Sequence, residues 1–162
     1  MKPLSLTLKN FGPYINETID FTKFEDSSLF LISGKTGSGK TTIFDGMSYA
    51  LFGESSGKLR LGKEMRSTFA DPSEATEVTL LFKHNEYLYE LNRLPEQELF
   101  KKRGTGVRKQ SAKISLIVKD AQGKELRAYS KRREVDELIQ ELLHLNANQF
   151  AQIVLLPQGE FR

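Results

Sequence analysis

The segment FLISGKTGSGKTTIFDGMSYALFGE, residues 30–54, limits most strongly how the chain can fold. Residues 34–41 fit the pattern G-x-x-x-x-G-K-[ST] of the phosphate loop, which binds nucleoside triphosphates. Such a loop functions between a buried strand and a helix whose N-terminus faces the phosphates. The apolar run at residues 29–32 predicts that strand, and three- and four-residue apolar spacing after Thr41 predicts a helix that ends at Gly53. The context favours an α/β P-loop NTPase fold.

The chemistry of holding a polyphosphate explains the residue types in this loop. Glycines let the backbone curl, so that successive N–H groups converge on phosphate oxygens. We expect Lys40 to reach the β- and γ-phosphates and Thr41 to ligate Mg²⁺. No N-K-x-D element for reading guanine occurs in the sequence, so ATP with Mg²⁺ is the expected ligand. The predicted triphosphate-binding residues are Gly34, Lys35, Thr36, Gly37, Ser38, Gly39, Lys40, Thr41 and Thr42.

Composition indicates one soluble globular domain. The 162 residues are 38% apolar and 28% charged, which is the balance of an ordinary water-soluble fold. At the start of the chain, Leu4, Leu6 and Leu8 alternate with polar residues, which predicts a strand and not a signal peptide or a membrane span. The sequence has no cysteine, which excludes disulfides and fits a cytoplasmic protein.

Hydrophobic periodicity predicts mainly strands in the first two thirds of the chain. Opening strands are expected at residues 4–9 and 15–21 around the turn at Gly12, and a polar loop at residues 53–73. Alternation then predicts two hairpins, which comprise residues 78–82 with 87–91 and residues 114–118 with 125–128. His84 and His144 stand alone, without partners at metal-ligand spacing, and neither is a predicted site.

The last part of the chain is predicted to return to helix. One apolar stripe predicts a helix at residues 132–143, and Asn146 is a predicted N-cap of a further short helix through Phe150. The final segment, IVLLPQGEFR, predicts a buried strand that Pro157 ends, with Gln158 in a loop.

Basic residues are concentrated in one region. Residues 101–133 contain twelve Lys or Arg residues and two acidic residues, although the net charge of the whole chain is only +3. This asymmetry suggests a polyanionic partner such as DNA, and the alternative is a solvated, lysine-rich hairpin. Five basic residues flank Gly104-Thr105-Gly106, where a hairpin tip could neutralise phosphates without reading bases. These candidates for DNA binding are Lys101, Lys102, Arg103, Arg108 and Lys109.

Half of an ATPase site is missing from the sequence. Hydrolysis also needs a carboxylate at the end of a second buried strand to hold Mg²⁺. The nearest candidate, residues 114–120, ends in Asp120, but its alternation and following turn predict a hairpin strand instead. The chain stops at Arg162 after an apolar segment, so a fragment is expected. Alone it should bind ATP weakly and hydrolyse it negligibly.

Several segments together resemble the N-terminal ATPase segment of bacterial SbcC, a long-coiled-coil ATPase related to SMC proteins. They are MKPLSLTLKNFGPY, LFLISGKTGSGKTTIFDGMSYALFGESSG, RSTFADP, EVTLLF and FAQIVLLPQGEFR. The resemblance covers residues 1–162 and implies a single domain, the N-terminal lobe of an ABC/SMC-like head with an antiparallel β-hairpin subregion. The ending LPQGEFR resembles the Q-loop that precedes the coiled coil.

The resemblance implies a larger assembly. The C-terminal half of the same head would carry the Walker B and signature motifs, and two heads would dimerise around two ATP molecules. The head would work with an SbcD-type nuclease on double-stranded DNA breaks and ends. Gln158 would contact Mg²⁺ and the attacking water, a role that suits a neutral amide. Related heads often have a basic residue after the Asn-Phe pair, where this chain has Gly12, so no nucleotide contact is expected there.

Two other functions are compatible with the phosphate loop. One is a RecF-like or SMC-like DNA-binding ATPase without a nuclease partner. The other is a small P-loop kinase, which would need an acceptor pocket and lid arginines. The hairpin-forming middle of the chain and the absence of a Walker B strand disfavour the kinase, but a fold alone does not fix a function.

Overall fold

The computed structural model describes residues 1–24, 40–53 and 65–154, with side chains for 1–22, 42–53 and 65–150. Strands dominate the described part of the chain, and one helix precedes most of them. In chain order the elements are β1 (Lys2–Phe11), β2 (Tyr14–Asp20), a 3₁₀ turn (Phe21–Phe24), α1 (Lys40–Phe52), β3 (Glu77–His84), β4 (Tyr87–Leu94), β5 (Gln97–Phe100), β6 (Val107–Gln110), β7 (Lys113–Lys119), β8 (Glu125–Tyr129), α2 (Arg132–Leu143) and α3 (Ala147–Val154).

Six of these strands form one antiparallel sheet in the order β2-β1-β3-β4-β7-β8. Side chains alternate between the two faces of each strand, so the alternating apolar residues all reach one face. The fully buried side chains of that face include Leu6, Leu8, Val78, Leu80, Phe82, Leu91 and Leu116. The opposite face carries polar pairs, such as Asn92, whose Nδ2 donates to Glu77 Oε1 at 2.7 Å.

Helix α1 packs on the apolar face, against β1, β3 and β4. The two surfaces approach closely at Gly46, where an added Cβ atom would lie 2.7 Å from Leu8 Cδ2. A larger residue at position 46 would therefore force the Leu8 side chain or the helix to shift. Helices α2 and α3 contact α1 in turn, and the rings of Phe52 and Phe150 meet edge to face with centroids 5.6 Å apart.

A separate two-stranded sheet, β5 paired with β6, was not predicted as strands. We call residues 97–110, which comprise these strands and their connecting loop, the basic hairpin. Each strand has only four residues, too few for an alternation to stand out. Lys101 N donates to Gly106 O at 3.0 Å and closes the loop. The sequence prediction of a hairpin tip around Gly104-Thr105-Gly106 agrees with this geometry.

The predicted helix at residues 132–143, the helix after Thr41 and both long hairpins are confirmed. The predicted strand in the final segment is wrong where it can be compared, because Ile153 and Val154 continue helix α3. Buried Ala147 and Phe150 are three residues apart, which is the spacing of one face of a helix. The predicted strand at residues 29–32 and the residues from Leu155 onward, including Gln158, lie outside the described residues.

Candidate nucleotide site and basic hairpin

Helix α1 begins at Lys40, the lysine of the phosphate-loop motif. Its first turn contains no acidic residue, which suits a helix N-terminus that faces an anion. The residues of the predicted loop from Gly34 to Gly39 lie outside the described residues, and only the backbone of Lys40 and Thr41 is described. Their contacts with a nucleotide stay predictions. The helical start at Lys40 is nevertheless the local geometry that the motif requires.

The turn between β1 and β2 lies against the first turn of α1. Gly12 has a φ of 56°, a conformation that favours glycine, and an added Cβ atom would lie 2.5 Å from Thr42 Cγ2. Gly12 N also donates to Met65 O at 2.6 Å. A side chain of any size at position 12 would displace the side chain of Thr42.

The loop that follows Met65 is fixed to the same turn through Asn10. The Asn10 side chain donates to Ala75 O at 2.9 Å, while Asn10 O accepts hydrogen bonds from Ser67 N at 2.9 Å and Thr76 Oγ1 at 2.8 Å. Asn10 itself has a φ of 51°, which asparagine tolerates better than most residues. The loop therefore has a defined position beside the start of α1.

Arg66 holds the middle of this loop closed. Its guanidinium donates to Glu74 O at 2.6 Å and to Asp71 O at 3.0 Å. Partial burial lowers the pKa of Arg66, and the nearby Asp71 carboxylate opposes that shift. The pKa of Asp71 is lowered, mainly by hydrogen bonds from Ser73. Arg66 is thus engaged in shaping the loop around residues 71–74.

Gln97 connects this loop to the basic hairpin. It is buried, its Oε1 accepts a hydrogen bond from Thr76 N at 2.8 Å, and its Nε2 donates to Thr76 O at 3.1 Å. Gln97 Oε1 also accepts a longer bond of 3.3 Å from Arg66 Nη1. A continuous series of hydrogen bonds therefore runs from the turn beside α1, through the loop after Met65, to the first residue of β5.

Arg93 supports the other end of α1, and the sequence prediction missed it. Its side chain is nearly buried at 4% exposure, and its Nε donates to Ala50 O at 2.7 Å while Nη2 donates to Leu51 O at 3.2 Å. These two carbonyls belong to the last turn of the helix, where no intrahelical donor is available. Burial lowers the pKa of Arg93, and Asp136 at 3.4 Å opposes that shift. Tyr89, Leu91 and Arg93 are alternate residues of β4, and all three are buried. This alternation was the sequence signal that could have predicted the burial of Arg93.

Tyr49 lies on α1 near this arginine. Burial raises its pKa to about 12, although the positive charges of Arg93 and Arg132 act in the opposite direction. The ring of Tyr49 is 6.2 Å from that of Phe11, the residue immediately before Gly12. Arg93 and Phe11 of the sheet therefore both anchor the C-terminal part of α1.

Helix α3, which precedes Gln158 in the chain, has a reciprocal cap. Asn146 Oδ1 accepts a hydrogen bond from Gln149 N at 2.9 Å, and Gln149 Oε1 accepts one from Asn146 N at 2.9 Å. The predicted N-cap at Asn146 is confirmed. Helix α3 ends at Val154, four residues before Gln158, so this cap fixes the origin of the segment that leads to Gln158.

All five basic candidates for DNA contact lie on the basic hairpin. Lys101, Lys102 and Arg103 are in its loop, and Arg108 and Lys109 are in β6. Lys102 pairs with Glu74 and Lys109 with Glu96, each at 3.0 Å, and the latter contact raises the pKa of Lys109. Within the described ranges, Lys101 and Arg103 have no ion pair, so they are the two fully available cations of the loop.

Asp120, the nearest sequence candidate for a Walker B carboxylate, is a turn residue. Its Oδ1 accepts hydrogen bonds from Gln122 N at 3.0 Å and Lys124 N at 2.9 Å, so it shapes the β7–β8 connection. Among the residues that the structure describes, no cluster of His, Asp or Glu could hold a metal ion. His84 is the last residue of β3, and His144 is the C-cap residue of α2 with a φ of 55°. No described helix is long and apolar enough to cross a membrane.

Residues 5–162 match the family model AAA_23, which is described as an AAA domain. The chain belongs to this AAA domain family. Membership confirms the predicted P-loop NTPase fold class and places this AAA domain in a family of ATPases. The phosphate-loop residues and Gln158 fall inside the matched range.

This AAA domain is also similar to several curated proteins that are named as the SbcC component of the nuclease SbcCD. The identity is 48% over 165 residues with the protein of Lactococcus lactis subsp. lactis strain IL1403, 45% over 163 residues with that of Vibrio cholerae serotype O1, and 46% over 162 residues with that of Staphylococcus aureus strain JH9. Each match covers at least 99% of this chain and 16% of the relative. The predicted resemblance to SbcC is confirmed, and the chain spans about a sixth of the length of these relatives.

A solved structure from work titled "Structural biochemistry of ATP-driven dimerization and DNA stimulated activation of SMC ATPases" also aligns with the AAA domain. The alignment covers 99% of this chain and 95% of that chain, with 17% identity and a TM-score of 0.43. This likeness is too weak to carry an argument about function.

Proposed function

We propose that this chain is the ATP-binding N-terminal part of an SbcC-type ATPase head. The observation that carries the proposal is the start of α1 at Lys40, directly after the glycines of the phosphate-loop motif. Identity of 45–48% over almost the whole chain with SbcC proteins supports the assignment. A small P-loop kinase has no such support.

ATP with Mg²⁺ is the proposed ligand. The described start of α1 fits it, because the N–H groups of a helix's first turn have no partner within the helix and the first turn of α1 has no acidic side chain to repel phosphate. Residues 34–42 would cradle the triphosphate, Lys40 would neutralise its terminal charge and Thr41 would hold the metal ion. Gln158 would contact the metal and orient the attacking water. When bound, Mg²⁺ would neutralise the charge that develops on the phosphates.

The rest of the ATPase site would come from outside this chain. The relatives are about six times as long, and Asp120, the nearest carboxylate candidate, is occupied in a turn. We therefore propose that a C-terminal segment completes the head with the Walker B carboxylate, and that two heads dimerise around ATP. The name of the relatives supports an SbcD-type nuclease as the partner protein, with double-stranded DNA breaks and ends as the substrate.

The basic hairpin is the proposed DNA contact of this chain. Its five basic side chains project from one short antiparallel unit, and residues 97–110 contain only one acidic residue, Glu98. Lysine and arginine at a loop tip neutralise phosphates without reading base sequence. The hydrogen bonds through Gln97 and Asn10 hold this unit at a fixed position relative to the turn beside α1.

The nucleotide assignment is tested by Lys40→Ala and Gln158→Ala in the full-length protein. ATP affinity is measured by equilibrium dialysis and turnover by phosphate release, with Lys83→Ala as a control at an exposed lysine on β3. Lys40→Ala should lose both binding and turnover, whereas Gln158→Ala should lower kcat more than affinity. Wild-type affinity and turnover in Lys40→Ala would contradict the proposal, and equal affinity losses in both variants would contradict the role of Gln158.

A further inference from the structure

Two phenylalanines are exposed to solvent on neighbouring segments at the basic hairpin. Phe69 is 77% exposed and Phe100 is 56% exposed, and they are the only exposed phenylalanines among the residues whose side chains are described. Single exposed apolar residues are ordinary on a protein surface. Two aromatic rings beside a loop of three consecutive cations are a more specific feature, because exposed apolar surface that is bordered by polar groups commonly marks a binding site.

Phe100 stands at the base of the cationic loop. It is the last residue of β5, it precedes Lys101, and its cross-strand partner in the register is Val107, which is 49% exposed. Directly opposed residues project from the same face of an antiparallel pair. Phe100 and Val107 therefore form an exposed apolar patch on one face of the hairpin, next to Lys101. The hydrogen bond from Lys101 N to Gly106 O fixes the position of this patch beside the loop.

The segment that carries Phe69 is attached to the same hairpin. Phe100 N donates to Pro72 O at 2.9 Å, and Lys102 Nζ is 3.0 Å from Glu74 Oε1. Phe69 N in turn donates to Ser67 Oγ at 3.2 Å, within a turn that Asn10 holds through Ser67 N. Both phenylalanines therefore project from backbone that hydrogen bonds define, and little ordering would be needed when a ligand binds.

The combination of cations and rings distinguishes between forms of nucleic acid. A closed duplex offers phosphates to Lys101 and Arg103, but it hides the faces of its bases from a side chain outside the helix. Unpaired nucleotides offer both phosphates and base faces, and proteins bind them with a cationic groove and aromatic stacking. A hydrophobic protein partner would use the rings but would leave without a role the charges of Lys101 and Arg103, which have no ion pair among the residues that the structure describes.

We propose that the basic hairpin binds unpaired nucleotides, with Phe100 stacking on a base and Lys101 and Arg103 contacting the flanking phosphates. The inference rests on the proposed function, in which this hairpin contacts nucleic acid, and adds the form of nucleic acid that it selects. Phe69 is a second stacking position on the adjoining turn. Frayed or single-stranded segments at a DNA end are the substrate class that this surface fits.

The test compares the affinities of the full-length protein for two labelled probes, an oligothymidylate and a blunt duplex of equal length. Phe100→Leu keeps an apolar side chain but removes the ring, and Phe100→Tyr restores a ring. Tyr87→Leu is the matched control, because Tyr87 is 46% exposed at the opposite end of β4 from the basic hairpin. Phe100→Leu should weaken oligothymidylate binding about tenfold and leave duplex binding unchanged. Phe100→Tyr and Tyr87→Leu should bind both probes as the wild type does.

A second variant, Lys101→Gln with Arg103→Gln, separates the stacking by Phe100 from the general contact of the hairpin with nucleic acid. If it weakens binding of both probes while Phe100→Leu weakens neither, the hairpin contacts nucleic acid but the stacking inference is overturned. If it weakens neither probe, the DNA contact of the proposed function fails as well. Equal weakening of both probes by Phe100→Leu would also overturn selective stacking. Loss of the nuclease partner from Phe100→Leu, with both affinities intact, would identify the surface as a protein interface instead.

Discussion

Gly12 and Thr42 are in contact without space for another atom, since a Cβ atom built on Gly12 would lie 2.5 Å from Thr42 Cγ2. This contact joins the β1–β2 turn to the first turn of the phosphate-loop helix. The N-terminal strand pair is therefore packed against the start of the helix. We therefore expect a substitution at residue 12 to affect the proposed nucleotide site, although glycine has no side chain with which to touch a nucleotide.

Gly12→Ala should destabilise the start of α1 and weaken ATP binding. The positive φ of an alanine there costs about 1–2 kcal/mol, and the clash adds about 1–3 kcal/mol. Gly123→Ala is the matched control, because Gly123 has a φ of 86° but open space around it. Hydrogen exchange of peptides from α1 and ATP affinity are the measurements.

A second substitution identifies the clashing atom. Thr42→Ser removes Cγ2, so Gly12→Ala combined with Thr42→Ser should recover part of the lost ATP affinity. Equal effects of Gly12→Ala and Gly123→Ala on α1 would mean that only backbone strain matters, and that the contact with Thr42 does not position the helix.

Arg93→Met should loosen the C-terminal end of α1. The substitution leaves the carbonyls of Ala50 and Leu51 without their buried donor, at about 1–3 kcal/mol for each unsatisfied group. Asp136→Asn should have an effect below about 1 kcal/mol, because the Asp136 side chain is 44% exposed and its ion pair is long at 3.4 Å. Hydrogen exchange at the end of α1 compares the two variants. A similar loss of protection in Arg93→Met and Asp136→Asn would show that the ion pair is the important contact.

Tyr49 should make the fold sensitive to alkaline pH. Its folded-state pKa of about 12 is above the ordinary value of 10.0, so the native state retains a proton that the unfolded state loses. The contribution to stability is complete below pH 10 and decreases as pH rises from 10 to about 12, by about 2–3 kcal/mol in total. Tyr49→Phe should remove this part of the decline in the urea unfolding midpoint above pH 10. An unchanged pH profile in the variant would contradict the burial of the hydroxyl.

Local patterns predicted the elements whose hydrophobic period extends over several turns or a full strand. Helix α2 has the predicted bounds of 132–143, because its apolar stripe stands out against charged residues. Strands β3 and β4 follow from alternation and a short turn. Strand prediction failed at Ile153 and Val154, since a short apolar run suits either a strand or a buried helix and its period alone does not decide between them.

Contacts between residues distant in the chain could not be predicted. Gly12 and its contact Thr42 are 30 positions apart in the chain, and Arg93 is 43 positions from Ala50 at the end of α1. No local sequence pattern specifies either contact. Gln97 and Leu99 are buried in a strand too short to show a period. The phosphate loop is the opposite case, because its chemistry requires a fixed short sequence, and the motif therefore indicates its function directly.

The unpaired cations of the basic hairpin should dominate its duplex affinity. Each neutralised phosphate releases counterions, so removing two contacts should reduce the slope of log K against log salt by about 1.8. Lys101→Gln with Arg103→Gln is expected to produce that change, since neither side chain has an ion pair in the described structure. Lys102→Gln with Lys109→Gln should change the slope less, because Glu74 and Glu96 already neutralise these lysines.

Lys83→Gln with Lys124→Gln is the matched control for lost charge, because both lysines are exposed and lie outside the basic hairpin, Lys83 in β3 and Lys124 in the β7–β8 connection. Binding to the duplex is titrated at several salt concentrations for the three double variants, and ATP affinity should stay at the wild-type value in each. A smaller slope in the Lys83 and Lys124 variant would show that overall charge, not the hairpin, sets the affinity. A wild-type slope in the Lys101 and Arg103 variant would exclude the loop tip from the DNA-binding surface.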